Sequence, residues 1–168
     1  MATYIQIGST VTVGAGGAAT ITFSSIPSTY TDLQLLISAR GTNTNYWAAL
    51  SLNGSSSNFT LKNVQGTGSL AYSNADTTNA YSFHQNSSGM TANTFASTSF
   101  YIPNYAGSTN KSISNETVQE TNATEAYSEL TAMLWSNTAA ITSITLTSGG
   151  GGNFAQYSTA SLYGIKNS

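Results

Sequence analysis

The sequence predicts an all-β fold, a jelly-roll-like antiparallel β-sandwich with little or no helix. Its short runs alternate between apolar and polar residues, which is the two-residue period of a strand with one buried face. Clusters of Gly, Asn, Ser and Pro separate these runs roughly every ten residues, as in sandwiches and barrels. The stretch with helical charge spacing, residues 115–130, is too rich in Thr and Asn to form a helix of any length.

The clearest strand is DLQLLISARG, in which Leu33, Leu35 and Ile37 share one face. Another run, YWAALSLNG, ends in the dipeptide Asn53–Gly54, and the alternation resumes in NFTLKNV. Because Asn-Gly favours tight hairpin turns, we expect these two runs to form a hairpin. The other strand-like runs are AATITFSSI, TFASTSFYIPN, AYSELTAMLWS, AITSITLTS and QYSTASLYGIK.

Charge is scarce in this chain. Charged residues make up 6% of the sequence, against roughly a quarter of an average globular protein. Four cations and a net charge of -2 provide no basic stripe that could displace counterions from a nucleic-acid backbone, so we expect no nucleic-acid partner. A hydrophobic content of 39%, with ten Tyr, six Phe and two Trp, is nevertheless far above that of a disordered chain. The protein should therefore fold.

One β-sandwich domain is expected over residues 1–168, because this length supports a hydrophobic core without covalent crosslinks. There are no cysteines, so neither disulfides nor thiolate metal sites can form. The start of the chain lacks the basic and apolar regions of a signal peptide. No stretch is apolar over the roughly eighteen residues of a membrane span, and we expect no membrane partner.

Four consecutive glycines, Gly149–Gly152, follow a strand-like run, which is where nucleotide-binding proteins hold phosphate. Such a site also requires a helix after the glycines and a Lys at a set distance. Here the next run, NFAQYSTASLY, is strand-like, and no Lys has the required spacing. We therefore interpret the glycines as a turn between two strands that are expected to be neighbours.

No residue set predicts catalysis, a cofactor or a bound metal, and we expect the protein not to be an enzyme. His84 is the only histidine, and without cysteines it cannot complete a structural zinc site, so a polar surface position is expected for it. Four of the six acidic residues lie between Glu116 and Glu129, and a carboxylate pair for glycoside hydrolysis or a weak ion site is one interpretation of them. Solvated acids in a loop are the favoured interpretation.

Five aromatic residues, Tyr46, Trp47, Tyr72, Tyr81 and Phe83, lie in Asn- and Ser-rich surroundings and could form a stacking platform for a sugar. Aromatic residues at alternating positions more often pack in the core or pair across strands. Both interpretations stay open at this point, with the core favoured.

Two segments together, FSSIPSTYTDLQLLISARG and AITSITLTSGGGGNFAQYSTASLYGIK, resemble small β-sandwich structural proteins of tailed bacteriophages. That group includes head decoration (cement) proteins and modules of tail fibres and tail tips. The resemblance lies in the first and last quarters of the chain. It implies a non-enzymatic virion protein that folds as a jelly-roll-like sandwich, assembles as a homotrimer and works by contact.

Our first hypothesis is a capsid decoration protein, made in the bacterial host cytoplasm and located on the outer head surface of the virion, where it bridges subunits of the major capsid protein. One alternative is a receptor-binding module of a tail fibre or tail tip, with a host surface glycan as its partner. Another is a free carbohydrate-binding β-sandwich. A strand-like run that begins near Thr3 leaves no room for the attachment segment of a tail fibre, which favours decoration.

Residues 1–10 are predicted to form an assembly arm. Tyr4, Ile5 and Ile7 make an apolar run near a chain terminus, and such a run can pair with the sheet edge of a neighbouring subunit. We expect these three residues to contact the capsid lattice, and deletion of residues 1–8 to reduce capsid binding without unfolding the domain.

Overall fold

The fold is a sandwich of two antiparallel sheets, one of nine strands and one of four. The structure, a computed structural model, describes residues 1–77, 81–122 and 126–166. Within these residues, the only helical segment is one 3₁₀ turn at Gly149–Gly151. The predicted all-β sandwich is therefore confirmed.

Strands are numbered in chain order. They are β1 (Thr3–Gln6), β2 (Val11–Thr12), β3 (Thr20–Phe23), β4 (Asp32–Ala39), β5 (Trp47–Leu52), β6 (Phe59–Gly66), β7 (Ala71–Asp76), β8 (Tyr81–His84), β9 (Ala96–Pro103), β10 (Lys111–Val118), β11 (Ser128–Trp135), β12 (Ile144–Ser148) and β13 (Thr159–Lys166). The larger sheet has the order β1-β13-β4-β9-β10-β11-β6-β7, with the short β2 also paired to β13. The smaller sheet has the order β3-β12-β5-β8.

Most connections pass from one sheet to the other, as they do in a jelly roll. The chain crosses between the sheets from β3 to β4, from β4 to β5 and from β5 to β6. The exceptions are the β1–β2 connection, the β6–β7 hairpin and the β9–β10–β11 meander, which stay within the larger sheet. Consecutive strands therefore usually lie on opposite sides of the core.

The hydrophobic core lies between the two sheets. On β4, the predicted face is confirmed, because Leu33, Leu35 and Ile37 are all buried. They belong to one cluster with Leu50 of β5 and Leu146 of β12 in the smaller sheet. Burying a side chain of this size contributes about 1.5–3 kcal/mol to the free energy of folding. The packing of the two inner sheet faces is therefore the main source of stability.

The core changes from apolar to polar along the inner face of β6, β10 and β11. At one end of these strands, Phe59 and Trp135 stack with ring centroids 6.2 Å apart. Toward the other end, the inward residues become polar although they remain buried. These polar residues are Asn63, Gln65, Asn115, Thr117, Glu129 and Thr131.

The Asn53–Gly54 turn forms, but the hairpin predicted from it is wrong. Asn53 and Gly54 have φ of 52° and 74°, and Leu52 and Ser55 exchange backbone hydrogen bonds around them. After this turn the chain crosses to the larger sheet, so β5 and β6 do not pair. The Asn53 side chain instead accepts hydrogen bonds from the backbone N–H groups of Thr142 and Ser143 and fixes the approach to β12.

The glycine run is also a crossing between the sheets, and the prediction that it joins neighbouring strands is wrong. β12 lies in the smaller sheet and β13 in the larger one. Gly150 and Gly151 have φ of 63° and 70°, which favours glycine. A Cβ atom on Gly149 would lie 1.9 Å from the carbonyl oxygen of Trp47, so this position requires close backbone approach.

We predict that Gly149→Ala destabilises the fold by about 1–3 kcal/mol, because the added methyl group displaces the Trp47 backbone. Urea unfolding monitored by circular dichroism measures this change. Gly14→Ala is the matched control, since a Cβ there meets nothing within 4 Å and the residue is not at positive φ. Equal stability of the two variants would contradict the close approach.

Candidate functional site

The outer face of the larger sheet exposes aliphatic side chains. Because side chains alternate along a strand, the residues between the buried ones on β6, β10 and β11 face away from the core. Val64, Val118, Leu130 and Leu134 lie on this face and are 37% to 57% exposed. Val64 and Leu130 are direct cross-strand partners. This face is the most apolar surface that β6, β10 and β11 present to solvent.

The aliphatic side chains line a continuous depression along β11. Its largest part, about 700 Å³, lies over Val64 and Leu130, and two adjoining parts extend it past Ala132 to Leu134. We call this depression the outer groove. Its lining includes Lys62, Val64, Glu116, Leu130, Ala132 and Leu134, together with Tyr72 and Asp76 of β7.

Lys62 and Glu116 are the charged residues on the outward faces of β6 and β10, one on each side of β11, while Asp76 of β7 and the inward-facing Glu129 also line the outer groove. Lys62 pairs across the sheet with Ala132, and Glu116 pairs with Leu130. Both side chains are exposed. Within the described ranges, neither forms a salt bridge. The outward faces of β6, β10 and β11 therefore present one cation and one anion to a binding partner.

A cluster of buried polar residues lies directly behind the outer groove. Glu129 of β11 accepts hydrogen bonds from His84 Nε2 at 3.1 Å and Asn63 Nδ2 at 2.9 Å on one oxygen. Its other oxygen accepts one from the Thr131 hydroxyl at 2.6 Å. Asn63 and Thr131 thus belong to strands whose outward residues form the groove, whereas His84 lies on β8 of the smaller sheet. Glu129 ties β6, β8 and β11 together.

Aromatic rings enclose the imidazole of His84. The ring centroid of Trp47 lies 4.2 Å from that of His84, and the ring of Tyr127 stacks on it at 4.8 Å. Tyr46 is also stacked, at 5.7 Å. His84 is fully buried, so the predicted surface position for it is wrong. The segment around His84 has no clear period, and its partner Glu129 is 45 residues away in sequence, so no local pattern indicated the burial.

The interpretation of the acidic residues as solvated holds for Glu116 and is wrong for Glu129. Burial alone would raise the pKa of Glu129, but hydrogen bonds from His84, Thr131 and Asn63, together with attraction to His84, lower it below its usual value of 4.5. Glu116 faces the opposite side of the sheet. The two carboxylates therefore do not face one cleft, as a glycosidase pair must.

The five aromatic residues considered as a sugar platform do not share one surface. Phe83 is fully buried in the core, while Tyr46 and Trp47 are half-buried around His84. Tyr72 lies on the edge strand β7 and is 41% exposed. The side chain of Tyr81 lies outside the described part of the structure. The interpretation that these aromatic residues pack in the core therefore accounts for Phe83, Tyr46 and Trp47.

The predicted assembly arm is paired to its own chain. β1 runs antiparallel to β13 at the edge of the larger sheet, with Tyr4 opposite Ile165 and Ile5 opposite Gly164. Tyr4 is 58% exposed and Ile5 38% exposed, whereas Ile7 packs against the core. The contact of Tyr4, Ile5 and Ile7 with a capsid stays a prediction. The structure places the first two where a partner could reach them.

No group of three or more His, Asp or Glu side chains that could hold a metal occurs in residues 1–77, 81–122 and 126–166. None of the helical structure described for this chain has the length and apolar character needed to cross a membrane. Comparisons with models of protein families, with curated proteins and with solved structures found no match to this chain.

We predict that Glu129→Gln lowers the free energy of unfolding at pH 7 by about 1.5–3 kcal/mol, the value of a hydrogen bond to a charged group. A carboxyl with a depressed pKa in the folded state stabilises above its unfolded pKa, and this contribution is lost as the pH falls through the folded pKa. The stability difference between wild type and Glu129→Gln should therefore be full above about pH 4.5 and shrink at lower pH.

Urea unfolding at a series of pH values from neutral to acidic measures this difference. Glu116→Gln is the control, because it removes the same charge from the exposed face of the neighbouring strand and should change stability by no more than about 0.5 kcal/mol. An equal effect of the two substitutions, or a difference that does not depend on pH, would rule out this role for Glu129.

Proposed function

We propose that this protein is a non-enzymatic structural protein of a bacteriophage virion, a decoration (cement) protein that binds the outer surface of the head. The observation that carries the proposal is the broad outer face of the larger sheet, which exposes aliphatic side chains and little charge. The resemblance of the N-terminal and C-terminal segments to phage β-sandwich proteins supports the same assignment.

A surface of this kind suits protein contact. The cores of protein interfaces are depleted in charged residues, and apolar patches on a monomer often mark interaction sites. Of the four cations, only Lys62 and Lys166 have exposed side chains, because Lys111 is buried and Arg40 is partly buried. The Arg40 guanidinium donates to backbone carbonyls of the 88–94 loop. Little charge would need to be desolvated when the protein binds.

The proposed action is stabilisation by binding. A protein that binds an assembled shell but not its separated subunits stabilises the shell by mass action. The contribution grows with the number of copies bound, so many weak sites suffice. In this proposal the partner is the major capsid protein, the decoration protein is a homotrimer and its location is the head surface of the virion.

The edge strand β1 supplies the proposed contact with the capsid. Its backbone pairs with β13 on one side, which leaves the other side at the edge of the sheet. An exposed edge accepts an added strand from a partner through main-chain hydrogen bonds. Tyr4 and Ile5 would then add side-chain contacts.

Exposed tyrosines favour the alternative of a tail-tip receptor-binding module or a carbohydrate-binding sandwich. Tyr4, Tyr72, Tyr101 and Tyr157 are 40% to 68% exposed. Tyrosine rings can stack on sugars. Tyr157 also has φ of 72°, an uncommon conformation for a large side chain that is often found at functional sites. A glycan array with the purified protein tests this alternative, and selective binding would favour it over decoration.

We predict that purified particles of the phage that encodes this chain carry it on their heads. Quantitative mass spectrometry of separated heads and tails should find it in the head fraction, at a copy number comparable to that of the major capsid protein. A few copies confined to tails would support the receptor-binding alternative. Absence from particles would refute both virion assignments.

We further predict that the double substitution Tyr4→Ser/Ile5→Ser weakens binding to undecorated heads by at least about tenfold, since it removes the exposed apolar contacts of β1. Co-sedimentation with heads measures the affinity. These substitutions are cleaner than deletion of residues 1–8, because the deletion also removes the β1–β13 pairing and the packing of Ile7.

Leu70→Ser is the control for this experiment. Leu70 is 68% exposed and lies in the β6–β7 hairpin at the opposite edge of the same sheet. It should leave the affinity unchanged. If the Tyr4→Ser/Ile5→Ser variant binds heads as wild type does and unfolds at the same temperature, β1 is not the contact.

A further inference from the structure

The charges of the outer groove have a self-complementary arrangement. Lys62 on β6 and Glu116 on β10 lie about 10 Å apart across the sheet, because β11 separates the two strands. Lys62 is level with Ala132 and Glu116 with Leu130, so the two charges are also offset along β11. The point midway between them lies over β11, between Leu130 and Ala132.

A second copy can be related to the first by a two-fold axis that lies parallel to the face. This axis passes over the midpoint and is perpendicular to the line from Lys62 to Glu116. It places Lys62 of each copy over Glu116 of the other and brings Leu130 and Ala132 of both copies together at the centre. From the strand spacing and rise, the strands of the two sheets would cross at about 70°. Such a crossing belongs to the orthogonal class of sheet packing.

We propose that the outer groove binds the outer groove of a second copy of this chain, in a face-to-face dimer held by an aliphatic centre and two reciprocal Lys62–Glu116 ion pairs. This dimer does not rest on the proposed virion function. It is also distinct from the homotrimer that the phage resemblance implies, since a trimer has no two-fold axis.

The chemistry of the groove favours a second copy over other occupants. The backbones of β6, β10 and β11 are paired on both sides, so an added peptide strand would find no free main-chain groups there. The floor is formed by the aliphatic residues Val64, Leu130, Ala132 and Leu134, and among the described residues that line the groove Tyr72 of β7 is the one that carries an aromatic ring. A second sheet face that carries the same aliphatic side chains and the opposite charge at each contact fits these properties.

The size of the face sets the expected affinity. The three eight-residue strands β6, β10 and β11 are each about 27 Å long, and with the six-residue β7, about 20 Å long, they present a projected area of about 500 Å² at 4.8 Å spacing. Stable complexes bury about 800 Å² of accessible surface on each partner. The dimer is therefore expected to be weak, with a dissociation constant in the micromolar range, and it is best sought at high protein concentration.

Sedimentation velocity of the full chain from about 1 μM to about 500 μM tests the proposal. Wild type should pass from monomer to dimer over this range. Lys62→Glu and Glu116→Lys each create two like-charge contacts in the dimer, so each variant alone should raise the dissociation constant by at least about tenfold.

Mixing the two variants provides the decisive arm of the experiment. In a mixed dimer of Lys62→Glu with Glu116→Lys, both contacts again join opposite charges, so an equimolar mixture should dimerise as wild type does. The double variant Lys62→Glu/Glu116→Lys should do the same. Lys166→Glu controls for the change in net charge, because Lys166 is exposed on β13, away from the groove, and should leave dimerisation intact.

Three results would overturn the proposal. If the chain stays monomeric over the whole concentration range, the outer groove does not bind a second copy, whatever else it binds. A trimer as the sole assembled species excludes the two-fold contact. A dimer that is insensitive to both charge reversals uses a different face.

Discussion

The buried hydrogen bond between His84 and Glu129 is the interaction on which the polar half of the sandwich depends. It joins β8 of the smaller sheet to β11 of the larger one. Because side chains alternate along a strand, a slip of β11 by one residue would expose Glu129 and bury Leu130. The slip would leave the donors of His84 and Asn63 buried without their acceptor, at a cost of about 1–3 kcal/mol for each unsatisfied group, so the contact opposes it. The register it favours is the one that displays the outer groove.

Several of the few charged residues in this chain are buried. Of the six acidic residues, Glu129 is buried against His84. Asp32 is also buried, and it accepts hydrogen bonds from the Tyr101 hydroxyl and the Asn104 backbone. Lys111 is likewise buried, with its ammonium group donating to backbone carbonyls. The surface that remains is built mainly from hydroxyl, amide and aliphatic groups. Desolvating such a surface costs less free energy than desolvating a charged one when its hydroxyl and amide groups find hydrogen-bond partners at the interface.

Much of the fold could be predicted from the sequence, because alternation is a local signal. The buried face of β4 was predicted correctly, and the same period in AYSELTAMLWS places Glu129 on the face of Trp135. Connections were predicted less well. The Asn53–Gly54 turn and the glycine run are recognisable as turns, but whether the chain then pairs or crosses to the other sheet depends on contacts distant in sequence. The burial of His84 was missed for the same reason, and the outer groove appears only when three strands lie side by side.

The interaction free energy between His84 and Glu129 tests whether this contact holds the two sheets together, and a double-mutant cycle measures it directly. The free energies of unfolding at pH 7 of wild type, His84→Asn, Glu129→Gln and the double variant give the interaction energy of the pair. A stabilising coupling of at least about 1 kcal/mol is predicted for two buried residues joined by a hydrogen bond to a carboxylate. Additivity within about 0.3 kcal/mol would show that the two residues act independently and would contradict this account.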